Sequence, residues 1–292
     1  MESVAVVVPV RDGAGTLGAQ LRALSEQTYP APFPIVIVDD GSRDHTGEVA
    51  EQWARTLPDL RIVRSPVPRG LSWARNAGAT AASTEYLAYC DSDDVADPGW
   101  LAAMTASLAT SDLVGGHLDL SALNSPRSLS WRSHIPPPTG EAGLPCSPGY
   151  LPYAIGANLG VRRSVLTAVG GFDQRLSGHE DVEFSWRVQL ASYSLSYAPE
   201  AVMHYRLRDT LAGLAAQRFR YGTSFAHVYA LYAGQSVPPA SRRAIGRQWS
   251  RTLMRAPTAL RSSRAAGQWV FDTSWLVGCA VGSVRRRVLC PG

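Results

Sequence analysis

Residues 3–10 read SVAVVVPV, residues 34–42 read PIVIVDDGS and residues 86–94 read YLAYCDSDD. Each opens as a short apolar run without polar alternation, the pattern of a strand buried on both faces of a parallel sheet. Leu17, Leu21 and Leu24 recur at helical spacing between the first two runs. The rhythm continues with a helix over 46–56, a strand over 61–64, a helix over 71–82, the strand at 86–90, a helix over 98–109 and a strand over 113–120. Alternating strands and helices predict an open α/β sheet with right-handed crossovers.

Beyond residue 120 the pattern changes. Residues 121–152 are rich in Pro, Ser and Gly and include Pro136-Pro137-Pro138, the composition of a long surface loop. A strand over 153–161, a helix opening near His179 and a strand over 202–205 follow. From Asp209 onward the chain reads as helical, aromatic and arginine-rich, with Pro238, Pro239 and Pro257 as breakers. This divides the 292 residues into an α/β domain over 1–205 and a helical extension over 206–292.

All 28 basic residues are arginine, so Schiff-base chemistry and a Walker P-loop, which need lysine, are excluded. Residues 1–205 hold 14 Arg against 22 acids, whereas residues 206–292 hold 14 Arg against only Asp209 and Asp272. Cys90, Cys146, Cys279 and Cys290 form no CxxC pair, which argues against structural zinc and fits free thiols in a reducing compartment. The start, Met1-Glu2-Ser3, lacks the basic region of a signal peptide, so a cytoplasmic location is expected, peripheral at the inner face of the cell membrane. The stretch 267–284 is too broken by Gln268 and Asp272 to span a bilayer. It ends in Arg285-Arg286-Arg287, which makes residues 267–292 the expected contact with an anionic membrane surface rather than with nucleic acid.

Ligands of open α/β sheets bind beyond the carboxyl ends of the strands. Here those ends are acidic: Asp12 after the first, Asp39 and Asp40 after the second, Asp91, Asp93 and Asp94 after the fourth. Converging carboxylates repel unless a cation lies among them, which points to a divalent metal and phosphates, with Mg²⁺ or Mn²⁺ fitting hard oxygen donors. Asp97 is expected to cap the helix that follows. A rival reading comes from Gly13, Gly15 and Gly18, a literal GxGxxG with Asp39 about 20 residues on, as in an NAD-dependent oxidoreductase. It is disfavoured because Pro9, Val10, Arg11 and Asp12 separate the apolar run from the first glycine and Asp12 would repel a pyrophosphate. A second rival is a non-catalytic sugar-nucleotide-binding module.

Taken in order, VVVPVRD (6–12), IVIVDDGSRDHT (35–46), RGLSWARNAG (69–78), YLAYCDSDD (86–94), GAN (156–158) and GGFDQRLSGHEDVEFSWRVQ (170–189) resemble glycosyltransferase family 2 with its GT-A fold, over residues 4–205. The resemblance implies an α/β fold of GT-A type, an open, mostly parallel mixed sheet flanked by helices. It implies an inverting transferase that moves a sugar from a nucleotide-diphospho-sugar, most often of UDP, to a carbohydrate, lipid-linked or small-molecule acceptor. Pro9, Asp12, Asp39, Arg75, Asn76 and Asp91 would bind the nucleotide; Asp91, Asp93 and His204 the metal; Gly156, Ala157 and Asn158 the acceptor. Asp181, with Glu180, would supply the general base. Retention of Asp91, Asp93 and Asp181 together argues against the non-catalytic module. Trp131, Tyr153 and Trp186 are candidate sugar-stacking faces, and Arg187 a candidate partner of the acids.

Overall fold

In a computed structural model, the first apolar run becomes β1 (Val4–Val10), buried along its whole length. The structure describes residues 3–135, 137–139, 143–146, 150–235 and 237–291. The chain divides into two compact units, Met1–Asp119 with Pro138–Pro145 and Pro152–Tyr205, and Leu120–Pro137 with Cys146–Leu151 and Arg206–Gly292.

In the first unit β1 is followed by α1 (Leu17–Ser25), β2 (Ile35–Asp40), α2 (Thr46–Ala54), β3 (Leu60–Ser65), α3 (Leu71–Ala81), β4 (Tyr86–Cys90), β5 (Val95–Ala96), α4 (Trp100–Leu108) and β6 (Leu113–Asp119). After the second unit's α5 (Pro126–Arg132) come β7 (Asn158–Arg162), α6 (Arg163–Ala168), α7 (Glu180–Leu190) and β8 (Leu195–His204). The eight strands form one mixed sheet ordered β3-β2-β1-β4-β7-β6-β8-β5. The first four run parallel, β7 is antiparallel to both β4 and β6, and β5 is antiparallel to β8. Apolar side chains fill both faces, Val6, Val8 and Ile37 on one and Val7, Val36 and Val38 on the other. That is why the runs are continuous rather than alternating. Helix α3 lies so close to β1 that a Cβ on Gly78 would stand 2.3 Å from Val7. Because β1, β2 and β4 are parallel, Asp12, Asp39 and Asp91 emerge at one edge.

The loop expected over 121–152 contains a helix. Ser125 caps α5 by accepting from the Ser128 N–H, and Pro126 occupies its first turn, where a missing N–H costs nothing. Of the three prolines 136–138, Pro136 lies outside the described residues. Residues 120–137 group with the C-terminal unit, which adds α8 (Leu211–Tyr232), α9 (Arg242–Met254), a 3₁₀ helix (Ala256–Leu260) and α10 (Ser263–Arg286). Thr210, Ser241 and Ser262 cap α8, α9 and α10. α8 and α10 meet backbone to backbone, since a Cβ on Gly222 would lie 2.3 Å from the Trp275 carbonyl and one on Gly278 2.2 Å from that of Phe219. Trp131 is buried against Leu214 and Phe271, so it is core rather than a sugar-stacking face, and Trp186 is likewise fully buried in the first unit.

Candidate active site

Four side chains from three segments form the centre of the site. Arg75, fully buried on α3, pairs with Glu180 at the start of α7 and lies 3.5 Å from Asp91 at the end of β4. Asp181 follows Glu180, is half-buried, and accepts the Gly156 N–H through Oδ2 at 2.8 Å and the Val182 N–H through Oδ1 at 2.9 Å. Gly156 cannot carry a side chain, because a Cβ there would stand 2.2 Å from the Arg75 guanidinium. The glycine of the GAN segment is therefore required by the arginine of RGLSWARNAG. Helix α7 starts from a strained turn, Gly178 at φ 157° and His179 left-handed at φ 54°, which aims Glu180 inward and leaves Asp181 accessible.

The electrostatics follow from burial. Desolvation pushes Asp91 up to about 6 against the attraction of Arg75, and the Asp93, Glu180 and Asp181 carboxylates push the same way. Burial also raises Glu180, with Arg75 opposing. Burial disfavours the Arg75 cation, but Glu180, Asp91 and Asp181 outweigh it and hold the guanidinium above its ordinary range. Glu180 is thus an internal counter-ion, and Asp181 is the carboxylate of the pair that solvent reaches. Arg187 pairs instead with Glu183, at 2.7 Å.

The carboxylates of Asp91, Asp93 and Asp94 offer oxygens within 4.8 Å of one another. This all-oxygen set suits Mg²⁺ or Mn²⁺. It contains Asp91 and Asp93 of the expected set, with Asp94 beside them. The His204 imidazole bonds Asp119 through Nδ1 at 2.8 Å, and its Nε2 lies 3.8 Å from Asp97. Asp94, one of the acids after the fourth strand, is buried beside the DxD pair. Asp97, expected to cap α4, instead accepts the Gly99 N–H at 3.0 Å, and Gly99 is the N-cap, without a side-chain cap.

Asp39 is buried and accepts the Ser42 N–H at 3.0 Å, and Pro9, buried in β1, pairs in register with Val38. Asp12 is exposed and left-handed at φ 52°. Its N–H donates to Ser42 Oγ, that of Gly13 to Thr46 Oγ1 and that of Ala14 to Asp44, each within 3.0 Å. A dinucleotide loop turns these N–H groups toward a pyrophosphate. Here three in succession bind the loop after β2 instead, and Gly18 has room for a Cβ, 3.7 Å from Trp53. The glycine pattern is a coincidence of turn composition, and the oxidoreductase reading is not favoured.

Two amides of the expected binding set make hydrogen bonds within the framework. Asn76 donates to the Phe172 carbonyl at 2.8 Å and accepts the Phe172 N–H at 2.9 Å, tying the 170–172 turn to α3. Asn158 is buried, donates to the His117 and Ala201 carbonyls and accepts the Trp100 indole N–H at 2.8 Å. Asn76, half-buried, keeps one amide N–H beyond these two bonds, whereas both amide hydrogens of the buried Asn158 are used. Ala157 is buried in the same turn.

A model of the family described as Glycosyl transferase family 2 matches residues 5–170, and one described as Glycosyl transferase family group 2 matches residues 146–284. Glycosyltransferase AglE of Haloferax volcanii is 29% identical over 231 residues, 78% of this chain and 74% of its own. The pre-mycofactocin glycosyltransferase of Mycobacterium tuberculosis is 28% identical over 239 residues, 80% of this chain but 49% of its own length, so the chain spans about half of that relative. Among solved structures, mannosyltransferase PcManGT from Pyrobaculum calidifontis, in complex with GDP-Man and Mn²⁺, superposes with a TM-score of 0.70 at 21% identity over 97% of this chain and 87% of its own. S. aureus TarS 1–349 in complex with UDP-GlcNAc gives 0.56 at 16% identity over 98% and 92%. The shared GT-A architecture and a family match covering more than half of the sequence lead to one conclusion: the chain belongs to glycosyltransferase family 2.

Proposed function

We propose that this chain transfers a sugar from a nucleoside-diphospho-sugar, with UDP the favoured nucleotide, to the hydroxyl of a carbohydrate, lipid-linked or small-molecule acceptor, inverting the anomeric carbon. The observation that carries the reading is Asp181, an accessible carboxylate fixed on the Gly156 N–H, beside a buried Glu180–Arg75–Asp91 chain that runs to the acidic strand end. Asp181 takes the proton of the acceptor hydroxyl as its oxygen attacks the anomeric carbon. The bond from that carbon to the diphosphate breaks on the opposite face, so one displacement inverts the centre without a covalent enzyme intermediate. Arg75 and Glu180 fix the distance between the donor edge and the base. Asp39, buried at the end of β2, would accept from the base of the nucleotide. Asp91, Asp93 and Asp94 would hold a divalent cation, which supplies neutralisation of the charge on the departing diphosphate.

The test is thermal unfolding of the chain with UDP, GDP, dTDP or NAD, each with and without Mn²⁺. A ligand that binds only the folded state stabilises it by about 2.7 kcal/mol at one hundred times its Kd. A nucleoside diphosphate that raises the midpoint only with Mn²⁺ supports the reading and names the base. A rise with NAD alone, independent of metal, overturns it.

A further inference from the structure

Between Asp209 and Asp272 the chain carries nine arginines and no acid. Asp272 is itself engaged, by Arg255 at 3.0 Å and His134 at 2.8 Å. Within this acid-free stretch the structure exposes large apolar side chains that a water-facing surface has no use for: Leu253 is 60% exposed, Met254 71% and Leu260 93%. All three lie within eight residues, at the end of α9 and along the 3₁₀ helix that follows.

This segment is anchored. The Trp269 indole donates to the Thr252 carbonyl at 3.1 Å, and Arg255 reaches Gln268 and Asp272 on α10. Thr252 and Arg255 therefore face α10. Successive helical residues turn by about 100°, so Leu253 and Met254 are rotated away from it. Arg251, Arg261 and Arg264, all exposed, frame them. In the stretch expected to meet a membrane, residues 267–292, Phe271, Leu276 and Cys279 are buried and Gly278 and Gly282 touch α8, while Val284, 80% exposed, and Leu289, 44%, stand at the surface beside Arg285, Arg286 and Arg287. Among the described residues no helix is long and apolar enough to cross a membrane.

We propose that Leu253, Met254 and Leu260, framed by Arg251, Arg261 and Arg264, form a surface that inserts into the interface of an anionic bilayer. Apolar side chains flanked by arginine match the two components of that solvent, acyl boundary and anionic headgroup. A nucleic acid would engage the arginines but would leave these aliphatic side chains in water. The inference is independent of the catalytic reading, since none of these residues lies in the first unit.

The test is sedimentation of the whole chain with vesicles of equimolar phosphatidylglycerol and phosphatidylcholine, and with phosphatidylcholine alone, at low salt. The parent protein should partition to the anionic vesicles at least about tenfold more strongly, since each arginine near such a surface is worth roughly fivefold. L253S/M254S/L260S should lower that partition by at least about tenfold. R261Q/R264Q should lower it by about tenfold or more on anionic vesicles and leave the neutral ones unaffected. All substituted residues are exposed, and circular dichroism confirms that each variant is folded. Partition of the triple serine variant equal to the parent overturns the proposal. So does binding to a single-stranded RNA oligonucleotide without any partition to anionic vesicles.

Discussion

Replacing Arg75 with Met should destabilise the protein by about 3–5 kcal/mol, because it strands a buried carboxylate. The side chains of Arg75 and Glu180 are 2% and 4% exposed, so water cannot take over when one partner is removed. Asp91 is half-buried and can recover hydration, which leaves most of the loss with Glu180. Arg75→Met should therefore lower the thermal midpoint by on the order of 10 °C, followed by circular dichroism. Arg75→Met combined with Glu180→Leu removes both charges and fills the space with apolar atoms, and should recover the greater part of that loss. The three variants with the parent form a double-mutant cycle whose coupling term isolates the pair. An Arg75→Met protein within about 1 kcal/mol of the parent would refute the assignment of Arg75 as the counter-ion of Glu180. A double variant that loses the sum of the two singles would refute it equally.

Asp181→Asn should leave Mn²⁺-dependent nucleotide binding unchanged while lowering sugar transfer by a factor of at least about 100, the usual weight of a general base; parental turnover would remove Asp181 from that role. Asn158→Ala leaves the His117 and Ala201 carbonyls and the Trp100 indole without their partner, so it should cost about 2–4 kcal/mol in urea unfolding; parental stability with a change confined to acceptor KM would refute this framework role. Asp91, raised to about 6 by burial, binds its proton more tightly folded than unfolded, so the metal-free protein should lose stability as pH rises from about 4 through 6. Asp91→Asn should flatten that slope, as read from urea midpoints across the range, and an unaltered slope would contradict the assignment.

The parts of this protein that its sequence determined are those in which the signal is local. Uninterrupted runs such as Val4–Val10 and Ile35–Asp40 are buried on both faces, which parallel packing requires, and the acids that follow them in sequence must appear at the same edge. The Glu180-Asp181 pair was singled out only by the family resemblance, and the structure adds that it opens α7 after the Gly178-His179 turn. The tertiary structure decided which polar group meets which. Arg75 and Glu180 are 105 residues apart, and the roles of Gly156, Asn76 and Asn158 depend on partners such as Phe172, Ala201 and Arg75 that no spacing reveals. The GxGxxG of residues 13–18 was disfavoured on sequence, but only the tertiary structure shows the Asp12, Gly13 and Ala14 N–H groups bound to Ser42, Thr46 and Asp44. In the C-terminal unit, composition located the excess of arginine, but only packing determined which apolar side chains α8 covers and which remain at the surface. Periodicity records whether a residue is buried, whereas a hydrogen bond or ion pair is fixed by groups brought together from distant parts of the chain.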